Sequence, residues 1–247
     1  MSLVSPVSPA KSLGQGLAEI ITQAGIWTPR SKQVVIGPSE VGHGCTRRLA
    51  YKLLDWTKTN EMGSSNWSAQ VGSAIHKYLA DIFAKIEDYE VEKRVTIRGN
   101  LTGTVDLYDK IRGIVIDWKT TSPNQMERKR RDGKNAQYHT QIQLYGYGVA
   151  QTGLAVNQVA LVYLPTSGGI DDMHVELYDY DEATAIQALE RMDNIHALLG
   201  QIDVENNPQM WEMIPSTPNR LCNYCPYFLP YSKELQKGCY GETATRN

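Results

Sequence analysis

Apolar residues recur at two different periods along the chain, and the switches between them outline its elements. Leu13, Leu17, Ile20 and Ile21 fall at helical spacing and predict a short amphipathic helix ending near Gly25, its apolar side serving packing. After a turn at Gly37-Pro38, Ser39 caps a predicted helix that continues through Cys45 and Arg47 to Leu54, with Leu49, Leu53 and Leu54 as its apolar positions. Residues 68–86 give the strongest helical pattern: Val71, Ile75, Leu79, Ile82, Phe83 and Ile86 share one broad face, and His76 lies at its flank. The period then changes to two. Strands are expected at 89–97, 101–108 and 113–119, with later ones at 158–164 and 173–178. Helices at 136–150 and 181–199 separate or follow them, and the Asn206-Asn207-Pro208 break leads into a cysteine-bearing tail. Helices flanking a central mixed sheet define an α/β core, expected as one domain over 1–247, with a small lobe formed by about 39–56 and 215–241.

Two neighbouring strands carry chemistry. In GTVDLYDKIRGIVIDWKTT, Gly103 to Thr121, Asp106 lies in one alternating run and Asp117 ends another, while residues 109–113 supply turn chemistry between them. The simplest geometry is an antiparallel hairpin. Side chains alternate along a strand, so Asp117 and Lys119 share a face and Trp118 takes the other. A D-x-K tripeptide is often only solvated charge, but here it closes a run apolar enough to be a buried strand, where uncompensated charge would be costly. Two acids beside a lysine hold a divalent cation and orient a water against a phosphate.

Composition sets the bounds. A chain of 247 residues with 41% hydrophobic content builds one large core. No apolar run reaches membrane-spanning length, and the opening MSLVSPVSPAKS has no basic segment followed by an apolar core, so a cytoplasmic protein with no membrane association is expected. A net charge of −2 excludes a uniformly basic coat for nucleic acid, yet a local positive groove suffices for an enzyme of DNA. Five basic residues cluster in ERKRRDGK, 127–134, read as a loop that either is solvated or touches phosphate. The four cysteines are Cys45, Cys222, Cys225 and Cys239. Without a signal peptide, four thiolates with one C-x-x-C anchor suit a metal or an iron–sulfur cluster better than disulfides.

Four motifs, taken together, resemble the RecB-like branch of the PD-(D/E)XK nucleases. GSAIH (Gly72 to His76) matches its G-x-x-x-H helix, GTVD (Gly103 to Asp106) its first acidic strand, DWK (Asp117 to Lys119) its D/E-x-K strand and QIQLY (Gln141 to Tyr145) its Q-x-x-x-Y helix. The resemblance implies a restriction-endonuclease-like core, with His76, Asp106 and Asp117 as ligands of Mg²⁺ or Mn²⁺ and a backbone carbonyl near Trp118 as a further one. It implies that Lys119 orients or deprotonates the attacking water, and that Gln141 and Tyr145 position the substrate. One N-terminal cysteine, a C-x-x-C and a last cysteine also look like the iron–sulfur nucleases of this group, the CRISPR-associated exonuclease family and AddB-type nuclease domains. That implies a structural 4Fe-4S cluster on Cys45, Cys222, Cys225 and Cys239; Cys45 followed by Thr46-Arg47-Arg48 fits the C-x-R pattern of its first ligand. The thirteen residues between Cys225 and Cys239 exceed the gap usual in those relatives, and a Cys₄ zinc site satisfies the same thiolates. The activity expected is exonucleolytic hydrolysis of single-stranded DNA ends. Structure-specific endonuclease action and a non-catalytic DNA-binding module are the alternatives. CRISPR adaptation, with its protein partners, recombination or repair, and phage DNA processing all use this chemistry.

Overall fold

The computed structural model of the chain describes residues 9–26, 36–60 and 67–245; the first eight residues, which bear on the expected lack of a leader, lie outside that range. Among the described residues, no helix is long and apolar enough to cross a membrane. The helices are α1 (Pro9–Ile26), α2 (Pro38–Val41), α3 (Thr46–Leu53), α4 (Trp67–Phe83), α5 (Pro123–Asp132), α6 (Ala136–Ala150) and α7 (Glu182–Ile202). Strands β1 (Tyr89–Arg98), β2 (Leu101–Asp109), β3 (Ile114–Thr121), β4 (Gln158–Pro165) and β5 (His174–Asp179) form one sheet in chain order. All neighbours are antiparallel except β3 and β4. Tight turns suit the antiparallel pairs; the parallel pair needs a crossover, which α5 and α6 provide. This is the mixed α/β architecture that the alternation of periods predicts.

Strand β4 shows why both faces need covering. Val159, Leu161 and Tyr163 enter the main core with Ile142 and Val149 of α6 and Leu189 of α7, while Ala160, Val162 and Leu164 face the smaller cluster beneath Ile75, Leu79 and Phe83 of α4. A strand apolar on both faces is the mark of a sheet interior. Residues after α7 return to α3: Arg47 N–H donates to the Pro215 carbonyl at 2.9 Å and the Tyr51 hydroxyl to that of Leu235 at 2.5 Å. Tyr51 stacks between Trp211 and Tyr227, at 4.1 and 5.0 Å, and these rings are continuous with the main core.

Four sequence expectations need correction. The apolar face of α1 is not packed: Leu13, Leu17 and Ile20 are more than half exposed. The helix expected from Ser39 to Leu54 is two helices, α2 capped by Gly37 and α3 by Cys45, because Gly42 and Gly44 interrupt it. The helix expected over 68–86 ends at Phe83, as α4. The basic run 127–134 is mostly helix rather than loop: Pro123 starts α5 and Gly133, at φ 68°, stops it.

His139 of α6 is buried, edge-on to Tyr178 with ring centres 4.7 Å apart. Burial first, and then the charge of Lys134, hold its pKa below the ordinary 6.5. The unfolded chain therefore takes up this proton more readily, so the stability His139 contributes is intact above about pH 6.5 and is lost as pH falls below it. Urea titrations at pH 7.5 and 5 are expected to show acid destabilisation that is shallower in His139→Gln; an equal pH dependence in the variant would contradict the assignment.

Candidate active site

The hairpin forms as its residues dictate. Asp109 Oδ1 accepts the Ile111 and Arg112 N–H groups at 3.0 and 2.9 Å, and Gly113 takes the left-handed conformation, φ 68°, that closes the turn. The β2–β3 ladder runs from Asp109↔Ile114 to Leu107↔Ile116. Just past its end, the carboxylate of Asp106 replaces a ladder bond: its Oδ2 accepts the Trp118 N–H at 2.8 Å. The two aspartates thus face each other where the strands part.

Around them the expected residues gather. His76 of α4 lies with Nδ1 3.2 Å from Asp106 Oδ1. Burial disfavours charge on this imidazole, but the hydrogen bond and charge of Asp106 outweigh it and raise its pKa. Alternation on β3 sends Trp118 to the α4 side, stacked on Phe83, and Asp117 and Lys119 to the α6 side. There Gln141 bridges the pair, donating to Asp117 Oδ1 at 3.2 Å and accepting from Lys119 Nζ at 3.1 Å. Gln141 also donates to the Tyr145 hydroxyl at 3.3 Å. These two lie one turn apart on α6, so one helix face serves the whole group.

Asp117 is 3% exposed, and burial is the main cause of its raised pKa, with Lys119 opposing and Asp106 adding to the rise. Its Oδ2 lies 2.6 Å from Lys119 Nζ, an ion pair that opposes the effect of burial. A carboxylate this buried needs a cation beside it, a need that the Lys119 ammonium meets here and a divalent ion could share. Among the described residues, no three His, Cys, Asp or Glu side chains converge closely enough to hold a metal ion as they stand. Asp106 is engaged by His76 and Asp117 by Lys119, so a cation would replace those contacts.

Gly103 explains part of the first acidic motif. A Cβ there would sit 2.6 Å from the Tyr145 ring and 2.9 Å from Pro38. Gly103→Ala is expected to destabilise the fold by about 1–3 kcal/mol, the range for overpacking, and to displace Tyr145; an unchanged urea midpoint would rule the clash out. Sequence motifs leave out one residue that the structure places at the site: Tyr138, whose ring centre is 4.7 Å from Lys119 Nζ. Its spacing three positions before Gln141, on the same helix face, was the available signal.

The four cysteines are free and line a single cavity with Arg48, Tyr51, Thr217 and Phe228. Cys45 caps α3, Cys222 lies within a short 3-10 helix (Arg220–Tyr224) that Cys225 caps at its C-terminal end, and Cys239 joins Phe228 in an isolated bridge. Burial raises the pKa of Cys222 and Cys225.

Comparison with known proteins agrees with this geometry. A family model, that of the PD-(D/E)XK nuclease superfamily, matches residues 55–228, a span that excludes Cys45 and Cys239. LHK-Exo of Laribacter hongkongensis, solved in complex with dAMP, is similar at TM-score 0.50 and 14% identity, covering 74% of this chain and 96% of that one. A protein designated SSO0001 gives TM-score 0.48 and 18% identity over 87% and 94% of the two chains. A phage related exonuclease from Haemophilus somnus 129PT gives 0.44 and 15% over 65% and 81%. No curated protein matches the sequence. At such identities a structural likeness speaks for the fold alone. The family match spans most of the chain, and with it the chain belongs to the PD-(D/E)XK nuclease superfamily, hydrolases of DNA phosphodiester bonds.

Proposed function

We propose that the protein is a RecB-like exonuclease that hydrolyses single-stranded DNA ends, with Mg²⁺ or Mn²⁺ held by His76, Asp106 and Asp117. The observation that supports this reading is the convergence of a buried Asp117, paired with Lys119, and an Asp106 that meets both His76 and the Trp118 N–H. Two carboxylates and an imidazole suit a hard or borderline divalent ion. Bound there, it would polarise a phosphoryl oxygen and lower the pKa of a water.

The chain's own groups do the positioning. Lys119, fixed by Asp117 and Gln141, presents its ammonium to the attacking water and to the negative charge that develops on the phosphorane oxygens. Gln141 fixes both members of the pair, and Tyr145 fixes Gln141. Incubating end-labelled single- and double-stranded DNA with Mn²⁺, Mg²⁺ or EDTA tests the activity. Release of mononucleotides or short ends supports the exonuclease; internal fragments would make it an endonuclease, and binding without cleavage would leave a DNA-binding module.

The cysteine cavity is read as the site of a structural 4Fe-4S cluster on Cys45, Cys222, Cys225 and Cys239, with zinc as the alternative. What supports a thiolate-bound centre is charge: Arg47 is buried with its Nη1 unpartnered, and Arg48 lines the cavity. A centre carrying four thiolates is anionic and would match them. Anaerobic purification with visible absorbance and metal analysis decides between the two; a colourless protein with stoichiometric zinc would overturn the cluster.

A further inference from the structure

Beside the catalytic group lies a second ammonium that, among the described residues, forms no ion pair, though its charge reaches Asp132 one turn along α5. Lys129 of α5 lies with Nζ 5.2 Å from the centre of the Tyr138 ring and 5.5 Å from that of Tyr163. Lys119 Nζ lies 4.7 Å from the same Tyr138 ring. Tyr163 is the register partner of Lys119 across β3 and β4, so all four residues belong to one patch on the α6 side of the sheet. Lys119 is matched by Asp117, whereas among the described residues no acidic side chain pairs with Lys129. Aromatic faces hold a cation in place but do not neutralise it. Of the other basic residues of the run, Arg130 donates to the Asp172 carbonyl at 2.6 Å, Arg131 pairs with Asp132 at 2.8 Å and Lys134 rests on Tyr178 at 5.5 Å; among the described residues, Arg128 has neither an ion pair nor a place on the Tyr138 ring.

We propose that Lys129, held against Tyr138 and Tyr163, contacts a backbone phosphate of the DNA strand next to the one being cleaved, and that Tyr138 is the positioning residue on whose ring both Lys119 and Lys129 rest. The inference rests on the nuclease reading above. Each nucleotide of a strand carries one phosphate charge, so a second cation on the ring that Lys119 shares can meet the phosphate beside the one being cleaved. Lys129 supplies sequence-independent affinity and orientation, and Tyr138 carries no proton in the reaction.

Two measurements test this, one of which does not need turnover. Binding of a fluorescent oligo-dT to wild type, Lys129→Met and Arg131→Gln is followed against salt in EDTA. Lys129→Met is expected to lower the slope of log K against log salt by about 0.7, one phosphate contact on a single strand, and Arg131→Gln to leave it unchanged. In Mn²⁺, Lys129→Met is expected to raise KM about tenfold with a smaller change in kcat, as loss of one charge-assisted contact does. Tyr138→Phe keeps the ring and is expected to keep kcat, while Tyr138→Leu lowers it; thermal melting confirms that each variant is folded. A wild-type salt slope and KM in Lys129→Met, or equal losses in Tyr138→Phe and Tyr138→Leu, would overturn the proposal. If wild type binds but does not cleave, the nuclease reading fails and the slope still judges the phosphate contact. If it does not bind at all, both fall.

Discussion

Asp117→Asn and Lys119→Met are each expected to lose about a thousandfold in cleavage of an end-labelled strand in Mn²⁺ while still binding it. Losing a cation ligand, or the ammonium aimed at the developing charge, removes several kcal/mol of transition-state stabilisation, and about 4 kcal/mol corresponds to that factor. The choice of replacements matters because the pair is buried. Either variant leaves the other member of the pair uncompensated, a loss of up to about 3–5 kcal/mol that could mimic a catalytic defect, so replacements that keep the packing are needed and folding is measured beside cleavage. Asp117→Asn keeps an oxygen for the Gln141 amide, and Lys119→Met keeps the buried stem. Lost cleavage at a temperature where the melting curve shows the variant still folded assigns the effect to chemistry. Cleavage within tenfold of wild type in either variant would remove that residue from the mechanism.

The hairpin that carries these residues was legible because strand alternation is local: once Asp117 ends an apolar run, the faces of Trp118 and Lys119 follow. Sheet composition and α6 were legible for the same reason. What bridges the pair was not. Gln141 reaches Asp117 and Lys119 across 24 and 22 positions of chain, a contact set by the crossover and not by local pattern. Tyr138 escaped because a tyrosine at helical spacing reads equally well as core. The exposed apolar face of α1 marks another limit: amphipathicity shows which side of a helix is apolar, and nothing local shows whether a partner covers it. With α5 the signals were present but outvoted. Pro123 and Gly133 bracket a run of good helix formers, yet clustered charge suggests a loop.

Trp211→Ala is expected to cost about 3–5 kcal/mol, the range for truncating a fully buried large aromatic residue. Trp211 has no exposed surface, stacks on Tyr51 and meets Trp56 edge-on at 5.1 Å. Its indole Nε1 is itself buried without a partner. An unmet donor of that kind is unfavourable by about 1–3 kcal/mol, so Trp211→Phe trades lost packing against a removed penalty and should fall much closer to wild type. Urea midpoints at constant m separate the two variants. Similar losses in both would mean that the full indole area, and not the ring stack, holds this region. The effect also reaches the cysteines, because Tyr51 both stacks on Trp211 and walls the cavity that all four line. In metal-free protein, Trp211→Ala should therefore speed alkylation of the thiols while Trp211→Phe leaves it near the wild-type rate; equal rates in all three would show that the cavity wall stands independently of the stack.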